Sequence, residues 1–459
     1  MKEKTISAGR KSAAFIGLSI IAFMAMFLIS GVGVWAYSVA ATFNSVEQVG
    51  MIFTLESVVR TVMIPISGKI GEKMGRKKLV VFAVALYIIA YAVAAVSQNF
   101  WMFTISRTIT GFAWGLFVIN LITLVSDIYG QDQGPKYAGI LQALTTVGMI
   151  ISGPVEGAIC AVNWRLLFAI SLPIMVVALI ICIIAVPKVE PGKGDGSKMD
   201  IGGCVFTCVM LIPFSLSMNW GNIYGWGSPL IIALFVVTAV GLVLLLFAEK
   251  KAVSPMYPAK LLKNKYYLSI IVLSFAYSFV NGSQMYAPTF AQYVLEINST
   301  LTGFLTLPGL IFATIITAVL GGIAAKTGKY KGMTWFWTIL TLASGILLLF
   351  VKPMVGVGAM SAYVFLMVAQ TPLGAANGVQ QIVPYTYPMK VLKPEELAVG
   401  MSFMGLAGPL GINLANGICG GMMNGSGGLM SLFYIPIVMS VVMIIFTIFF
   451  KDVKQGDTI

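Results

Sequence analysis

Long apolar stretches, interrupted by short polar ones, repeat along nearly the whole chain. A run of about 20 apolar residues crosses a hydrocarbon core of roughly 30 Å when it is helical. These runs lack the alternation of apolar and polar residues that is typical of barrel strands, and only helices or closed barrels satisfy their backbone in lipid. The pattern therefore predicts an all-α protein that crosses a membrane many times.

The apolar runs predict fourteen spans in three groups. The first six are 13–36, 45–67, 79–97, 100–126, 137–161 and 165–186. Two more, 201–221 and 228–248, follow a polar linker at 188–200. After a second linker at 249–267 come 268–292, 300–325, 333–351, 354–381, 397–422 and 429–450. This grouping predicts a six-helix bundle at 1–187, a linker with two extra helices at 188–248, and a linker with a second six-helix bundle at 249–459.

The basic residues predict the orientation of these spans. Of the 29 Lys and Arg residues, only Arg165 and Lys352 fall in predicted outer segments, and Arg60 and Arg107 lie within spans. The remainder lie in predicted cytoplasmic segments, which indicates a multi-pass protein of the cell membrane with both termini in the cytoplasm. The net charge of +13 is therefore a topology signal. Because the charge is scattered through short loops, nucleic acid is not a predicted partner.

The chemistry-bearing residue types argue against an enzyme. The chain has no His, and its five Cys fall in or at the ends of spans, which is typical of packing residues. It also has no glycine-lysine loop for a nucleotide. We therefore expect no metal, no cofactor and no obligate protein partner, and the predicted partner at this stage is the lipid bilayer.

One charged loop is repeated in the two halves of the chain. Residues 68–78, GKIGEKMGRKK, are matched by residues 321–331, GGIAAKTGKYK, at an offset of 253. Each stretch joins the second and third spans of a six-span group, so the repeat predicts two related bundles. Glycines allow tight turns and close helix approach, and the acid can pair with a neighbouring basic group such as Arg76. The loop is thus a candidate conformational latch, formed by Gly68, Glu72, Gly75, Arg76 and Lys77.

These motifs resemble those of the major facilitator superfamily. Residues 68–80 are similar to its signature loop, with Glu72 at the position of the usual Asp, and residues 103–115 resemble its span-4 motif, with Arg107 and Gly111 in place. Span 5 is similar to the glycine-proline motif of the antiporter branch. The residues that carry this similarity are Gly153, Pro154 and Gly157.

Two further stretches resemble the fourteen-span drug–proton antiporters of that superfamily. Asn163-Trp164-Arg165 is similar to the opening of their span 6, and residues 287–309 resemble their span 9–10 hairpin. The resemblance implies a secondary transporter whose two bundles rock about a central cavity and extrude organic compounds or drugs in exchange for protons. Span 1 departs from that branch because residues 13–36 contain no acid. The alternative is a specific importer or exchanger of a small metabolite on the same fold.

Charged residues within spans are costly, so they are candidates for coupling. Glu56 and Arg60 are four residues apart and can pair on one helix face. Arg107 and Glu156 lie at similar depth on consecutive spans and can pair across helices. A purely structural ion pair is the alternative for the first two. Because no imidazole is present, Glu156 or Glu56 is the expected proton carrier. The alternative is a transporter that is uncoupled or coupled in another way.

Uncharged polar and aromatic residues within spans are candidates for a substrate cavity. An acid beside aromatic rings favours cationic compounds, although such residues also serve in helix packing and lipid contact. The candidates are Trp114, Asn281, Gln284, Tyr286, Gln292, Asn377 and Gln380.

Overall fold

The computed structural model describes residues 7–187, 201–251, 261–422 and 425–452, and the described residues form helices without any β-strand. The chain divides into two compact units. Unit 1 comprises Met1–Ser45 and Leu55–Met199, and unit 2 comprises Val46–Thr54 and Asp200–Ile459.

The helices of unit 1 follow one another with short connections. They are α1 Ala8–Ser30, α2 Val32–Thr42, α3 Val49–Met74, α4 Arg76–Ala95, α5 Phe100–Gly130, α6 Lys136–Val162 and α7 Trp164–Ala185. The first residues of α3 belong to unit 2. The boundaries between α5, α6 and α7 are marked by non-helical backbone at Gly130 and Asn163.

Helix α4 illustrates how a membrane reverses the usual burial pattern. Its tyrosines, Tyr87 and Tyr91, are fully buried, whereas Phe82 and Ile89 are more than half exposed. In lipid, apolar side chains gain nothing by leaving the surface, while polar groups need partners inside the protein. The polar side chains therefore mark the interior of unit 1.

Unit 2 contains the remaining helices. They are α8 Ile201–Tyr224, α9 Pro229–Lys251, α10 Lys265–Gln284, α11 Ala287–Tyr293, α12 Ser299–Thr302, α13 Leu307–Thr327, α14 Lys331–Leu349, α15 Val351–Val355, α16 Ala359–Gln380, α17 Val383–Thr386, α18 Pro388–Val391, α19 Pro394–Gly421, α20 Gly425–Ser431 and α21 Ile435–Phe449. Single 3₁₀ turns lie at Val46–Gln48, Leu261–Lys263 and Leu432–Tyr434. Helix α10 packs against α19 and α21, and α8 packs against α9 and α19.

The repeated loop has the same backbone device in both units. Gly75, which separates α3 from α4, has φ 87°, and its counterpart Gly328, which ends α13, has φ 61°. Residues with a Cβ rarely adopt these angles, so glycine is needed at both positions. The glycine spacing in the sequence therefore has a conformational cause that a plain basic loop would not require.

Within the described residues, twelve helices are long and apolar enough to cross a membrane. The structure thus gives twelve candidate spans where the sequence predicted fourteen. The chain is an all-helical, multi-pass membrane protein.

Candidate functional site

A buried ion pair joins α3 to α5. The Arg107 Nη2 donates to the Glu56 Oε2 at 2.5 Å, and both side chains are almost completely buried. Glycine explains why these helices approach so closely: a Cβ at Gly111 would overlap the backbone carbonyl of Glu56. Arg107 lies one turn before Gly111, so the same close approach places the guanidinium against the carboxylate.

Aromatic rings surround the remainder of the Arg107 guanidinium. Its central carbon lies 4.9 Å from the ring centre of Trp35, 5.9 Å from Tyr91 and 6.0 Å from Phe168. Among the described residues, Nε and Nη1 of Arg107 have no hydrogen-bond partner. The charge is therefore held by one carboxylate and by ring faces, each of which attracts a cation weakly.

Arg60 is the second arginine of this cluster. Its guanidinium lies 5.2 Å from the ring centre of Trp114, and it interacts electrostatically with both Glu56 and Arg107. The sequence predicted that Glu56 pairs with Arg60 along one helix face. In the structure Glu56 pairs with Arg107 instead, because the glycine contact brings the α5 arginine closer than the α3 arginine.

Glu156 on α6 is buried without a partner. Within the part of the chain that the structure describes, neither carboxyl oxygen makes a hydrogen bond. The carboxyl group lies against Gly31, between α1 and α2, where a Cβ would overlap it. Arg107 is close enough to act on Glu156 electrostatically, but the predicted Arg107–Glu156 ion pair is not formed. Gly153 and Gly157, which flank Glu156 in α6, are both buried, and Pro154 is partly buried.

Two of the predicted latch residues, Arg76 and Lys77, make contacts within unit 1. Arg76 pairs with Asp127 at the end of α5 at 2.6 Å, whereas the sequence predicted Glu72 as its partner. The Lys77 ammonium donates to the carbonyls of Ile183 at 2.7 Å and Val186 at 2.6 Å, which caps the C-terminal end of α7. Of the other three predicted members, Gly75 has the positive φ described above, and the surroundings of Gly68 and of the Glu72 side chain lie outside the described residues.

The predicted substrate residues of unit 2 fall into two groups. Three of them, Asn281, Asn377 and Gln380, line one pocket of about 170 Å³. The others lie in separate contacts: Gln284 accepts from Gln370 at 2.7 Å, Tyr286 donates to the Asn416 carbonyl at 2.9 Å, and Gln292 is buried. In unit 1, Trp114 lines an apolar cavity between α1, α5 and α6.

Several residues of these sites were not predicted from the sequence. Gly31 and the ring faces of Trp35 and Phe168 are apolar, so nothing in their local sequence indicates that they enclose charges. Ser274 and Ser278 resemble ordinary helix hydroxyls, yet both line the unit 2 pocket. Asp127 was recognisable as a charge at a span end, but its partner, 51 positions away, was not.

The family model of the Major Facilitator Superfamily matches residues 18–364. The multidrug transporter protein MdtP of Bacillus subtilis is 24% identical over 74% of this chain and 63% of its own length. The vacuolar membrane amino acid uptake transporter fnx2 of Schizosaccharomyces pombe is 25% identical over 64% of this chain and 53% of its own length. The chain thus spans less than two thirds of either relative.

The fold is similar to that of a solved nucleoside transporter, NupG. The TM-score is 0.68 at 14% sequence identity, and the match covers 95% of this chain and 100% of that one. At this identity the likeness supports the helical fold of the chain.

Proposed function

Because the chain belongs to the major facilitator superfamily, we propose that this transporter exports an organic compound in exchange for protons. It is a non-enzymatic membrane transporter. The observation that carries the coupling proposal is the buried Glu156, whose carboxyl group has no hydrogen-bond partner among the described residues and lies near the Arg107–Glu56 pair.

The charges of the cluster provide a route for coupling. An unpaired buried carboxylate is costly, so the observed arrangement accommodates Glu156 as the neutral acid. When Glu156 releases its proton, the carboxylate needs a counter-charge, and Arg107 is the cation that already acts on it. Arg60, one helical turn from Glu56, can then form an ion pair with Glu56. Loss of the proton thus leaves two acids with two arginines, and rearrangement of these pairs links the proton to the inward- and outward-facing states.

The direction of transport is proposed from the relatives. A relative is named a multidrug transporter and another an efflux pump, which supports export of organic compounds. The uptake transporter among the relatives supports the second candidate, a specific importer or exchanger of a small metabolite. The absence of an acid in residues 13–36 also favours that alternative.

The sign of a pH gradient distinguishes these functions in proteoliposomes. Ethidium, an organic cation, and N-acetylglucosamine, a neutral sugar, serve as test compounds of two chemical classes. We expect one of them to accumulate when the lumen is more acidic than the bath, because antiport exchanges outgoing protons for incoming substrate. Accumulation only with an alkaline lumen would show symport instead. Transport with no response to either gradient would contradict proton coupling.

We also propose fourteen spans with both termini in the cytoplasm, arranged as two six-helix bundles with α8 and α9 inserted between them in sequence. Besides the twelve candidate spans, helices α3 and α19 have 26 and 28 residues. At 1.5 Å per residue each is about 40 Å long, enough to cross a bilayer. Helix α3 owes its lower apolar content in part to Glu56 and Arg60, which are buried or lie against a ring.

Single cysteines introduced into a cysteine-free background test this topology. A membrane-impermeant maleimide added outside cells should label Asn424→Cys and should not label Lys193→Cys or Lys329→Cys. Permeabilised cells provide the control for reactivity, since all three sites should then be labelled. The reverse pattern in intact cells would show that the protein has the opposite orientation in the membrane. Labelling of all three sites would show that the number of spans differs from fourteen.

The latch proposal predicts a loss of turnover from changes in the loop after α3. Arg76→Ala removes the ion pair with Asp127, and Gly75→Leu places a side chain where φ is 87°. Both variants should transport more slowly than the parent at equal amounts in the membrane. Lys78→Ala is the matched control, because it removes a basic charge from the same loop at an exposed position. Parental transport in Arg76→Ala and Gly75→Leu would leave the loop with a role in topology alone.

A further inference from the structure

The unit 2 pocket between α10, α16 and α19 is polar and uncharged. Its polar lining consists of hydroxyl and amide side chains, and none of the described lining residues is charged. These side chains are Ser274, Ser278, Asn281, Asn377, Gln380 and Gln381, together with the phenols of Tyr277 and Tyr385. The pocket therefore offers many donors and acceptors but no counter-charge.

Gln380 leaves one polar atom of this pocket unused. Its amide nitrogen donates to Ser274 at 2.9 Å and to Ser278 at 3.4 Å. Its amide oxygen is buried and accepts no hydrogen bond from the described residues. Buried acceptors are normally satisfied, so this oxygen still needs a donor, and Gln380 itself lines the pocket.

Two features of the helices keep the pocket open. Gly408 of α19 faces it: a Cβ there would lie 3.1 Å from the Ser278 hydroxyl and 3.7 Å from the Gln380 amide nitrogen. The second feature is Tyr277, whose hydroxyl donates to the Leu373 carbonyl at 2.9 Å. This hydrogen bond holds the tyrosine in place before any ligand arrives.

The lining discriminates between classes of ligand. A cation or an anion would lose its hydration and find no opposite charge, which is unfavourable in a membrane-embedded protein. An apolar compound would leave the amides unpaired, and sites built to hydrogen-bond a ligand strongly reject analogues that lack the matching groups. A neutral ligand with hydroxyl and amide groups can pair with both the NH2 donor and the carbonyl acceptor of each side-chain amide.

We propose that this pocket, defined by Asn281, Asn377 and Gln380, binds an uncharged molecule rich in hydroxyl and amide groups. The proposal rests on the transport function and names the chemical class of its substrate. It assigns selection of the substrate to neutral polar side chains of unit 2, while the four charges proposed for coupling, Glu56, Arg60, Arg107 and Glu156, all belong to unit 1.

Three sugars with nearly the same ring and size separate the ligand classes. N-acetylglucosamine is neutral and carries hydroxyls and an amide, glucosamine is a cation, and glucuronate is an anion. Binding to the purified full-length protein in nanodiscs can be measured from the rise in melting temperature with sugar concentration. We expect N-acetylglucosamine to bind about tenfold or more tightly than either charged sugar, as expected when a charge enters without a partner.

Substitutions in the pocket give the second arm of the test. Gln380→Leu should weaken binding of N-acetylglucosamine about tenfold, because it removes the buried acceptor and donor together. Gln380→Glu should reverse the preference towards glucosamine, a change that mere loss of packing would not produce. Thr371→Val on the same helix is the control, since this hydroxyl bonds within its own helix and does not line the pocket.

The outcomes separate this inference from the proposed function. Preference for a charged sugar, absence of N-acetylglucosamine binding, or binding unaffected by both Gln380 variants would overturn the pocket proposal. If ethidium is nevertheless exchanged for protons, the transport function stands and only the substrate class is wrong. If N-acetylglucosamine binds through Gln380 but no gradient drives its transport, the pocket proposal stands and the coupling is wrong.

Discussion

Glu156→Gln is expected to abolish transport driven by a pH gradient while leaving exchange of substrate for substrate intact. The amide has nearly the size of the carboxyl group, so it should fit against Gly31 and reproduce the neutral acid. It cannot release a proton, and therefore cannot draw Arg107 away from Glu56. Gradient-driven uptake in proteoliposomes should fall to the level of empty vesicles, whereas exchange in the same vesicles should continue.

The matched control for this variant is Glu296→Gln. It makes the same chemical change at an exposed acid in the connection between α11 and α12. Gradient-driven transport should remain at the parental rate in that variant. If Glu156→Gln also retains it, Glu156 is a structural residue, and Glu56 is the next carboxylate to test. If Glu156→Gln loses exchange as well, the residue serves the transport cycle in some way other than proton transfer.

The sequence predicted the helical membrane fold because a bilayer imposes a strong and simple constraint. Three features can be recognised directly in the sequence: the length of the apolar runs, the distribution of basic residues and the two copies of the glycine loop. The predicted glycines at 75 and 328 were explained by their positive φ angles. Helix α3, predicted as the span 45–67, is not among the twelve candidate spans of the described residues, and it carries the charges of Glu56 and Arg60.

The pairing of the buried charges could not be predicted from spacing. Periodicity shows which residues share a face of one helix, and so it favoured Glu56 with Arg60. The rotation of neighbouring helices about their axes depends on small contacts such as Gly111 against the Glu56 backbone. The similar depth of Glu156 and Arg107 in their spans predicted that the two residues lie close together. Depth alone does not determine which acid the guanidinium contacts.

The substrate candidates show the same limit. Asn281, Asn377 and Gln380 were selected as polar residues within apolar spans, and the structure brings these three into one pocket. Gln284 was selected on equal grounds, but its amide oxygen accepts from Gln370. A buried amide needs partners wherever it lies, and the sequence does not distinguish a partner in the protein from one in a ligand.

Breaking the Arg107–Glu56 pair from one side should cause a large loss of stability. Arg107→Met leaves the buried Glu56 carboxylate with Arg60 as its only neighbouring cation among the described residues, and removing one partner of a buried pair costs up to about 3–5 kcal/mol. It also removes the cation from the rings of Trp35, Tyr91 and Phe168, worth roughly 0.5–2 kcal/mol. Thermal unfolding of the purified protein in nanodiscs should show this as a lowered melting temperature.

The double variant Glu56→Gln with Arg107→Met should recover much of this loss, because it leaves no uncompensated charge at the contact. Arg76→Met provides the control: Arg76 also pairs with a carboxylate, at 2.6 Å, but both side chains are partly exposed, at 30% and 24%. Exposed pairs contribute only about 0–1 kcal/mol, so that variant should melt close to the parent.

Equal melting temperatures for Arg107→Met and Arg76→Met would show that burial does not strengthen the Arg107 contact. A double variant no more stable than Arg107→Met would show that the arginine stabilises unit 1 through the aromatic rings rather than through Glu56. Recovery in the double variant would instead mean that the pair is kept for a purpose other than stability, as expected if Arg107 must be able to leave Glu56 for Glu156.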